Sequence, residues 1–324
     1  MIEKTMQIDR MENVISVFGS FDQNLHIIET ELGVIVSNRD DHIRIAGEAE
    51  NVMHAERAIE GLLSLAARGE AIDAQNVRYI IKLVQAGQEG RIEDLARGVV
   101  CVTAKGKPIK PKTIGQTGYV EAIKKNTVTL GVGPAGTGKT YLAVACAVQA
   151  FREKQVNRIV LTRPAVEAGE RLGFLPGDLK DKLDPYLQPL YDALEDMIPS
   201  RKLNEFMADG TIQIAPLAYM RGRTLDRACV ILDEAQNTNL GQLKMFLTRM
   251  GTSAKFIVTG DATQIDLPRK SDSGLLTGIQ LLKGLKGVAA ITFRNEDIVR
   301  HPLVTKIVRA FDEEENRARN FEDA

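Results

Sequence analysis

The run Gly133-Pro134-Ala135-Gly136-Thr137-Gly138-Lys139-Thr140 fits G-x-x-x-x-G-K-[ST] at every fixed position. It stands between an apolar run, Val128-Thr129-Leu130-Gly131-Val132, and a helix pattern opening Tyr141-Leu142-Ala143-Val144-Ala145. That is the strand–loop–helix setting the motif requires. Its glycines let backbone N–H groups turn inward on phosphates, and the helix N-terminus adds its positive dipole end. Lys139 is then expected to reach the β- and γ-phosphates of a nucleotide, and the Thr140 hydroxyl to ligate Mg²⁺. The rest of the chain agrees. From Ile114 onward apolar runs at 128–132, 159–162, 228–232, 256–259 and 288–292 alternate with helix patterns, which predicts an α/β unit with a mainly parallel sheet.

Polar groups cluster where three of these strands end. The run Cys229-Val230-Ile231-Leu232 leads into Asp233-Glu234-Ala235-Gln236. A buried parallel strand delivers its carboxyl end to the ligand crevice. Asp233 is thus placed to hold Mg²⁺ through water, and Glu234 to orient or deprotonate an attacking water. The next strand ends Thr259-Gly260-Asp261-Ala262-Thr263-Gln264, where Gln264 is expected to sense the γ-phosphate or the catalytic water. Gln116 precedes a short helix pattern ahead of the loop strand. A side-chain amide there can pair both ways with N6 and N7 of adenine. The guanine-reading Asn-Lys-x-Asp signature is absent from the sequence, which favours ATP over GTP.

The first 70 residues predict a separate, small α+β module of KH-like size and order. Val34–Ser37 and His42–Ala46 read as strands around an Asn38–Asp41 turn, and Val52, Ala55, Ile59, Leu62, Leu63 and Ala66 share one helix face. Two functions suit it, RNA binding and docking or assembly. Acidic residues outnumber basic ones there and no GXXG loop lies between suitable helices, so docking is the better fit. Residues 71–98, with a helix over about 74–86, read as a helical connector. Residues 99–312 form the nucleotide-binding core, opened by a strand at Val99–Thr103 and a basic stretch, Lys105 to Lys112, that suits a phosphate backbone or a solvated linker equally. Residues 313–324 are a charged tail expected to be disordered. A net charge of −1 argues against bulk attraction to nucleic acid or membrane, and no run approaches the ~20 apolar residues of a membrane span. The scattered Cys101, Cys146 and Cys229 and only four histidines make a zinc site improbable and fit a reducing cytoplasm.

Taken together, Pro111-Lys112-Thr113-Ile114-Gly115-Gln116, the phosphate loop, Leu161-Thr162-Arg163-Pro164, Gly173–Asp178, Met220-Arg221-Gly222-Arg223-Thr224, Asp233–Asn237, Gly260-Asp261-x-x-Gln264 and Arg300-His301-Pro302-Leu303-Val304 resemble the PhoH family of P-loop ATPases, in its form without a PIN nuclease domain. The same motifs look like the first RecA-type domain of superfamily 1 helicases. The resemblance implies a RecA-like fold and an ATPase acting on RNA, in ribosomal RNA maturation or RNA quality control beside a separate endoribonuclease. It makes Arg163, Arg221 and Arg223 candidates for nucleic-acid contact or coupling. Such helicases close the nucleotide between two RecA-type domains, and this chain has room for one. Arg300, with Arg309, is therefore expected to act as an arginine finger in a neighbouring subunit of a ring such as a hexamer, or else to cap or pair within its own C-terminal helix. A nucleotide-gated scaffold that hydrolyses only to reset itself is the alternative reading.

Overall fold

The computed structural model describes residues 1–8, 10–39, 42–95, 98–164 and 179–300, together with 303, 304, 307, 310 and 311. The expected turn at Asp40 and Asp41, the Gly173–Asp178 motif, Arg309 and the 313–324 tail lie outside them.

The N-terminal module is built on a three-stranded antiparallel sheet in the order β1-β3-β2, from β1 (Ile2–Gln7), β2 (Ile35–Arg39) and β3 (His42–Gly47). Central β3 alternates as a half-buried strand should, with Ile43, Ile45 and Gly47 inward and His42 and Arg44 outward. Helices α1 (Met11–Phe18), α2 (Gln23–Leu32) and α3 (Ala49–Ala67) join it. Along α3, Val52, Ala55, Ile59 and Leu62 are fully buried as the periodicity predicts. The stretch read as a connector carries α4 (Ala74–Gln85), whose Val77, Ile80, Ile81 and Val84 enter this same core, as do Ile92 and Leu95 beyond it. An amphipathic helix must bury its stripe, and α3 offers the nearest apolar surface.

The basic stretch is a hairpin. The strand expected over 99–103 shortens to β4 (Cys101–Val102), which pairs antiparallel with β5 (Pro108–Ile109). Two of its lysines turn back onto the N-terminal module: Lys110 Nζ lies 2.6 Å from Glu70 Oε2, and Lys112 Nζ 3.0 Å from Asp73 Oδ2. The Ile114 N–H donates to Tyr79 Oη at 2.9 Å, closing the same seam.

The larger unit is a six-stranded, all-parallel sheet in the order β11-β6-β10-β9-β7-β8. The strands are β6 (Val128–Val132), β7 (Arg158–Arg163), β8 (Ile212–Pro216), β9 (Ala228–Leu232), β10 (Lys255–Gly260) and β11 (Val288–Thr292). Helices α5 (Ile114–Lys125), α6 (Lys139–Arg152) and α7 (Leu179–Met197) join one apolar core, while α9 (Leu240–Leu247) and α10 (Leu275–Leu282) join the other; α8 (Ser200–Ala208) precedes β8. This is the RecA-like α/β arrangement the motifs imply. Ala143, Val144, Ala145, Ala147 and Val148 of α6 are fully buried, and such small side chains let the helix lie close on the sheet. Gly131 is needed for a similar reason. A Cβ there would stand 2.6 Å from the ring of the fully buried Tyr119. All three cysteines are free and buried, and burial pushes the Cys146 and Cys229 thiols up to about 12.

The seam between the two units generates a prediction. Asp73 caps α4 by accepting from the Gln75 and Asn76 N–H groups, each at 2.9 Å. Burial raises its pKa, but the bonds from Asn76, Lys112 and Gln75 outweigh that and hold the carboxyl below its ordinary value. Its contribution is therefore present above the ordinary aspartate pKa and is lost as pH falls through the lowered value. Asp73→Ala should cost about 1 kcal/mol in urea unfolding at neutral pH, and the gap to the parent protein should close on acidification below about pH 4.

Candidate active site

The phosphate loop leaves the buried end of β6 and enters α6. Gly136 and Gly138 take left-handed backbone, with φ of 83° and 77°, which only glycine adopts at no steric cost. Gly138 caps α6 without a side chain, leaving the first-turn N–H groups free to face an anion. Thr137 Oγ1 donates to the Pro134 carbonyl at 3.0 Å and braces the loop. Lys139 is buried, and its Nζ donates to the Gly133 and Pro134 carbonyls at 2.6 and 2.8 Å. Burial lowers its pKa, opposed by Asp261, Glu234 and Asp233.

Because β10 lies between β6 and β9, the carboxylate strand faces the loop across the end of β10. Asp233, only 2% exposed, gathers the groups there. Its Oδ1 accepts from Thr140 Oγ1 at 2.7 Å and from Thr259 Oγ1 at 2.6 Å. Its Oδ2 lies 2.8 Å from Arg163 Nε and 2.7 Å from Arg163 Nη2. Arg163, a candidate for nucleic-acid contact from sequence, is thus turned inward. It also donates to the Tyr186 carbonyl at 2.6 Å and approaches Glu234 Oε1 at 3.3 Å.

Glu234 sits in left-handed backbone at φ 54°, a strained setting for a non-glycine residue that clusters at functional sites. Burial and the neighbouring Asp233 raise its pKa, against Gln236, Arg163 and Lys139. Gln236, to which the sequence assigned no role of its own, is the hub of this edge. Its Nε2 donates to Glu234 Oε2 at 2.5 Å and to the Gln264 carbonyl at 3.0 Å, while its Oε1 accepts from Asp261 N at 2.9 Å. Gln264 donates to Asp261 Oδ2 at 3.0 Å. Thr259 is the other participant that sequence reasoning passed over; a hydroxyl ending an apolar strand was the signal.

Lys139, Thr140, Arg163, Asp233, Glu234 and Gln264 line one cavity of about 490 Å³. Gln116 lies around the corner, in a cavity of about 440 Å³ that shares Gly136, Gly138 and Tyr141 with the first. Its amide is engaged both ways, Oε1 accepting from Lys112 N at 2.6 Å and Nε2 donating to the Thr137 carbonyl at 3.0 Å.

Arg300 is placed differently from the expectation of a finger aimed at a neighbour. It lines the cavity of its own chain and lies against Gly136, where a Cβ would collide with its Nε. The reason is topological. Strand β11 pairs with β6, so the chain leaving β11 returns over the phosphate loop, and the Val299 N–H donates to the Gly136 carbonyl at 2.9 Å.

Residues 108–312 match the family model described as PhoH-like protein. The chain belongs to the PhoH family. It is 47% identical over 314 residues to the PhoH-like protein of Bacillus subtilis (strain 168), covering 97% of this chain and 98% of that one. It is 41% identical to protein PhoH of Escherichia coli (strain K12) over 226 residues, 69% of this chain and 63% of the other. Among solved structures it is similar to a Sulfolobus solfataricus SWI2/SNF2 ATPase core in complex with dsDNA, at 13% identity and a TM-score of 0.33, over 57% of this chain and 45% of that one. So slight a likeness adds nothing to the fold read from the sheet itself. Family and site agree on a nucleotide-hydrolysing protein.

The oxygen donors of Thr140 and Asp233, in direct contact, suit a hard cation that keeps most of its shell as water and phosphate. Among the described residues no group of three or more His, Cys, Asp or Glu could hold a metal ion. Arg163→Ala should leave Asp233 buried without its cation and lower stability by about 3 kcal/mol, read as a shift in the denaturant midpoint. An unchanged midpoint would show that the two threonine hydroxyls suffice.

Proposed function

We propose that the protein is an Mg²⁺-dependent ATPase whose hydrolysis is coupled to RNA. The observation that carries the hydrolytic half is the contact of Thr140 and Asp233 across the strand ends, with Glu234 held beside them by Gln236 and Arg163. On nucleotide binding, Lys139 exchanges the Gly133 and Pro134 carbonyls for phosphate oxygens, and the α6 amides face the same anion. Thr140 and Asp233 would hold Mg²⁺, which when bound would neutralise charge on the β- and γ-phosphates. Glu234, its pKa raised by burial, takes a proton from the attacking water. Gln264 and Arg300, on the same cavity wall, face the γ-phosphate, and Gln116 reads adenine once it releases Lys112 or Thr137.

Since Arg300 reaches its own loop, a ring is not required to supply that charge. Action with an endoribonuclease on ribosomal RNA or in RNA quality control is the setting that the family resemblance implies. Assembly into a ring would supply the second side of the nucleotide site that helicases take from a second RecA-type domain. Among the described residues no helix is long and apolar enough to cross a membrane. One observation favours the second reading, a nucleotide-gated scaffold. A path of bonds runs from Thr137 through Gln116 and Lys112 to Asp73 and Gln75 of the N-terminal module.

Glu234→Gln should lower kcat at least 10²-fold while leaving ATP binding intact. In the parent protein RNA should raise turnover, and the substitution should abolish that increase. RNA-indifferent basal turnover would favour the scaffold, and hydrolysis undiminished in Glu234→Gln would remove the assigned base.

A further inference from the structure

The nucleotide crevice uses one rim of the sheet, at the carboxyl ends of the strands. At the opposite rim β7, β8 and β9 begin, and a further cavity of about 320 Å³ opens among Asn157, Arg158, Asp209, Thr224, Asp226 and Arg227. At about 3.3 Å per residue, a strand's length puts it roughly 17–20 Å from Asp233.

Guanidiniums outnumber carboxylates on this rim, Arg158, Arg223 and Arg227 standing against Asp209 and Asp226. Asp226 accepts from the Thr252 N–H at 2.7 Å and Asp209 from the Thr211 N–H at 2.8 Å, so both carboxylates are turned to backbone. Arg158, Arg223 and Arg227 form no ion pair with any described residue. Arg223 instead donates to Gln213 Oε1 at 2.6 Å and Arg227 to Asn157 Oδ1 at 3.4 Å, both neutral acceptors. Arg249 adds another guanidinium to this face, donating to the Arg223 carbonyl at 3.2 Å. Burial and the nearby Arg158 both lower the Arg223 pKa, so like charges stand close together on this rim. Arg227 is kept in left-handed backbone at φ 47° by its N–H bond to the Thr252 carbonyl and by its own carbonyl, which accepts from Asn157 N. Planar guanidinium forks without carboxylate partners match phosphate oxygens.

We propose that this rim, through Arg158, Arg223 and Arg227, is a contact for the phosphate backbone of RNA separate from the nucleotide site. It rests on the RNA half of the function proposed above. The route of the chain favours nucleic acid over an acidic peptide. Residues 217–227 run from the carboxyl end of β8 to the start of β9, from one rim to the other. They carry first the exposed ring of Tyr219, then Arg221, Arg223 and Arg227. A single strand lying along that route meets a stacking platform followed by a row of cations.

The test is fluorescence anisotropy of the full chain with a short labelled polyuridylate across a salt series. Arg158→Gln and the double variant with Arg227→Gln should weaken binding, the double by at least about tenfold, and flatten the log–log salt slope by about 0.7 for each phosphate no longer neutralised. Turnover of MgATP without RNA should not change. Parent-like affinity and slope in both variants would overturn the proposal and leave the ATPase–RNA reading standing. Failure of the parent protein to bind polyuridylate would overturn both. Displacement of the RNA by polyglutamate as readily as by unlabelled polyuridylate would reassign the rim to an acidic protein partner. Arg158→Gln alone, at an exposed strand start, decides the matter should Arg227→Gln disturb its left-handed backbone.

Discussion

A single buried carboxylate holds the catalytic edge together. Asp233 receives a hydroxyl from α6, a hydroxyl from β10 and a guanidinium from β7, while itself ending β9. A carboxylate that deep would be costly without such partners. Each partner therefore does two things, satisfying the charge and fixing the register in which separate strand ends meet. The sheet order makes this possible. With β10 interposed between β6 and β9, Thr259 of β10 can reach Asp233 beside the Thr140 hydroxyl that follows the phosphate loop.

A second layer extends from that point. Gln236 ties Glu234 to the Asp261–Gln264 loop, so the residue assigned to water activation and the residue assigned to γ-phosphate sensing share one amide. On the other side, Gln116 bonds the phosphate loop to Lys112, and Lys112 bonds the N-terminal module. An amide that must choose between its present partners and adenine is a natural place for nucleotide binding to be felt at the module seam.

Much of this was legible in the sequence, for identifiable reasons. The phosphate loop, Asp233 and Glu234 were readable because their residue types are dictated by chemistry and their strands are buried on both faces, hence continuously apolar. Strand β8 was not, because Ile212-Gln213-Ile214-Ala215-Pro216 is a half-buried edge ending in proline. Strand β1 was missed because nearly all its side chains are exposed, leaving no alternation to read. The hairpin of β4 and β5 is too short to show a period. Gln236 and the inward turn of Arg163 depend on contacts between loops of different strands, which spacing cannot reveal. The position of Arg300 within its own chain was hidden for the same kind of reason, since only the pairing of β11 with β6 brings it over its own loop.

The claim that Asp233 organises a metal-assisted site is tested most directly by calorimetric titration of ATP, with and without Mg²⁺, into the parent protein and Asp233→Asn. Mg²⁺ should tighten ATP binding to the parent protein and not to the variant, with magnesium-free affinity similar in the two. An equal gain from Mg²⁺ in both proteins would contradict it.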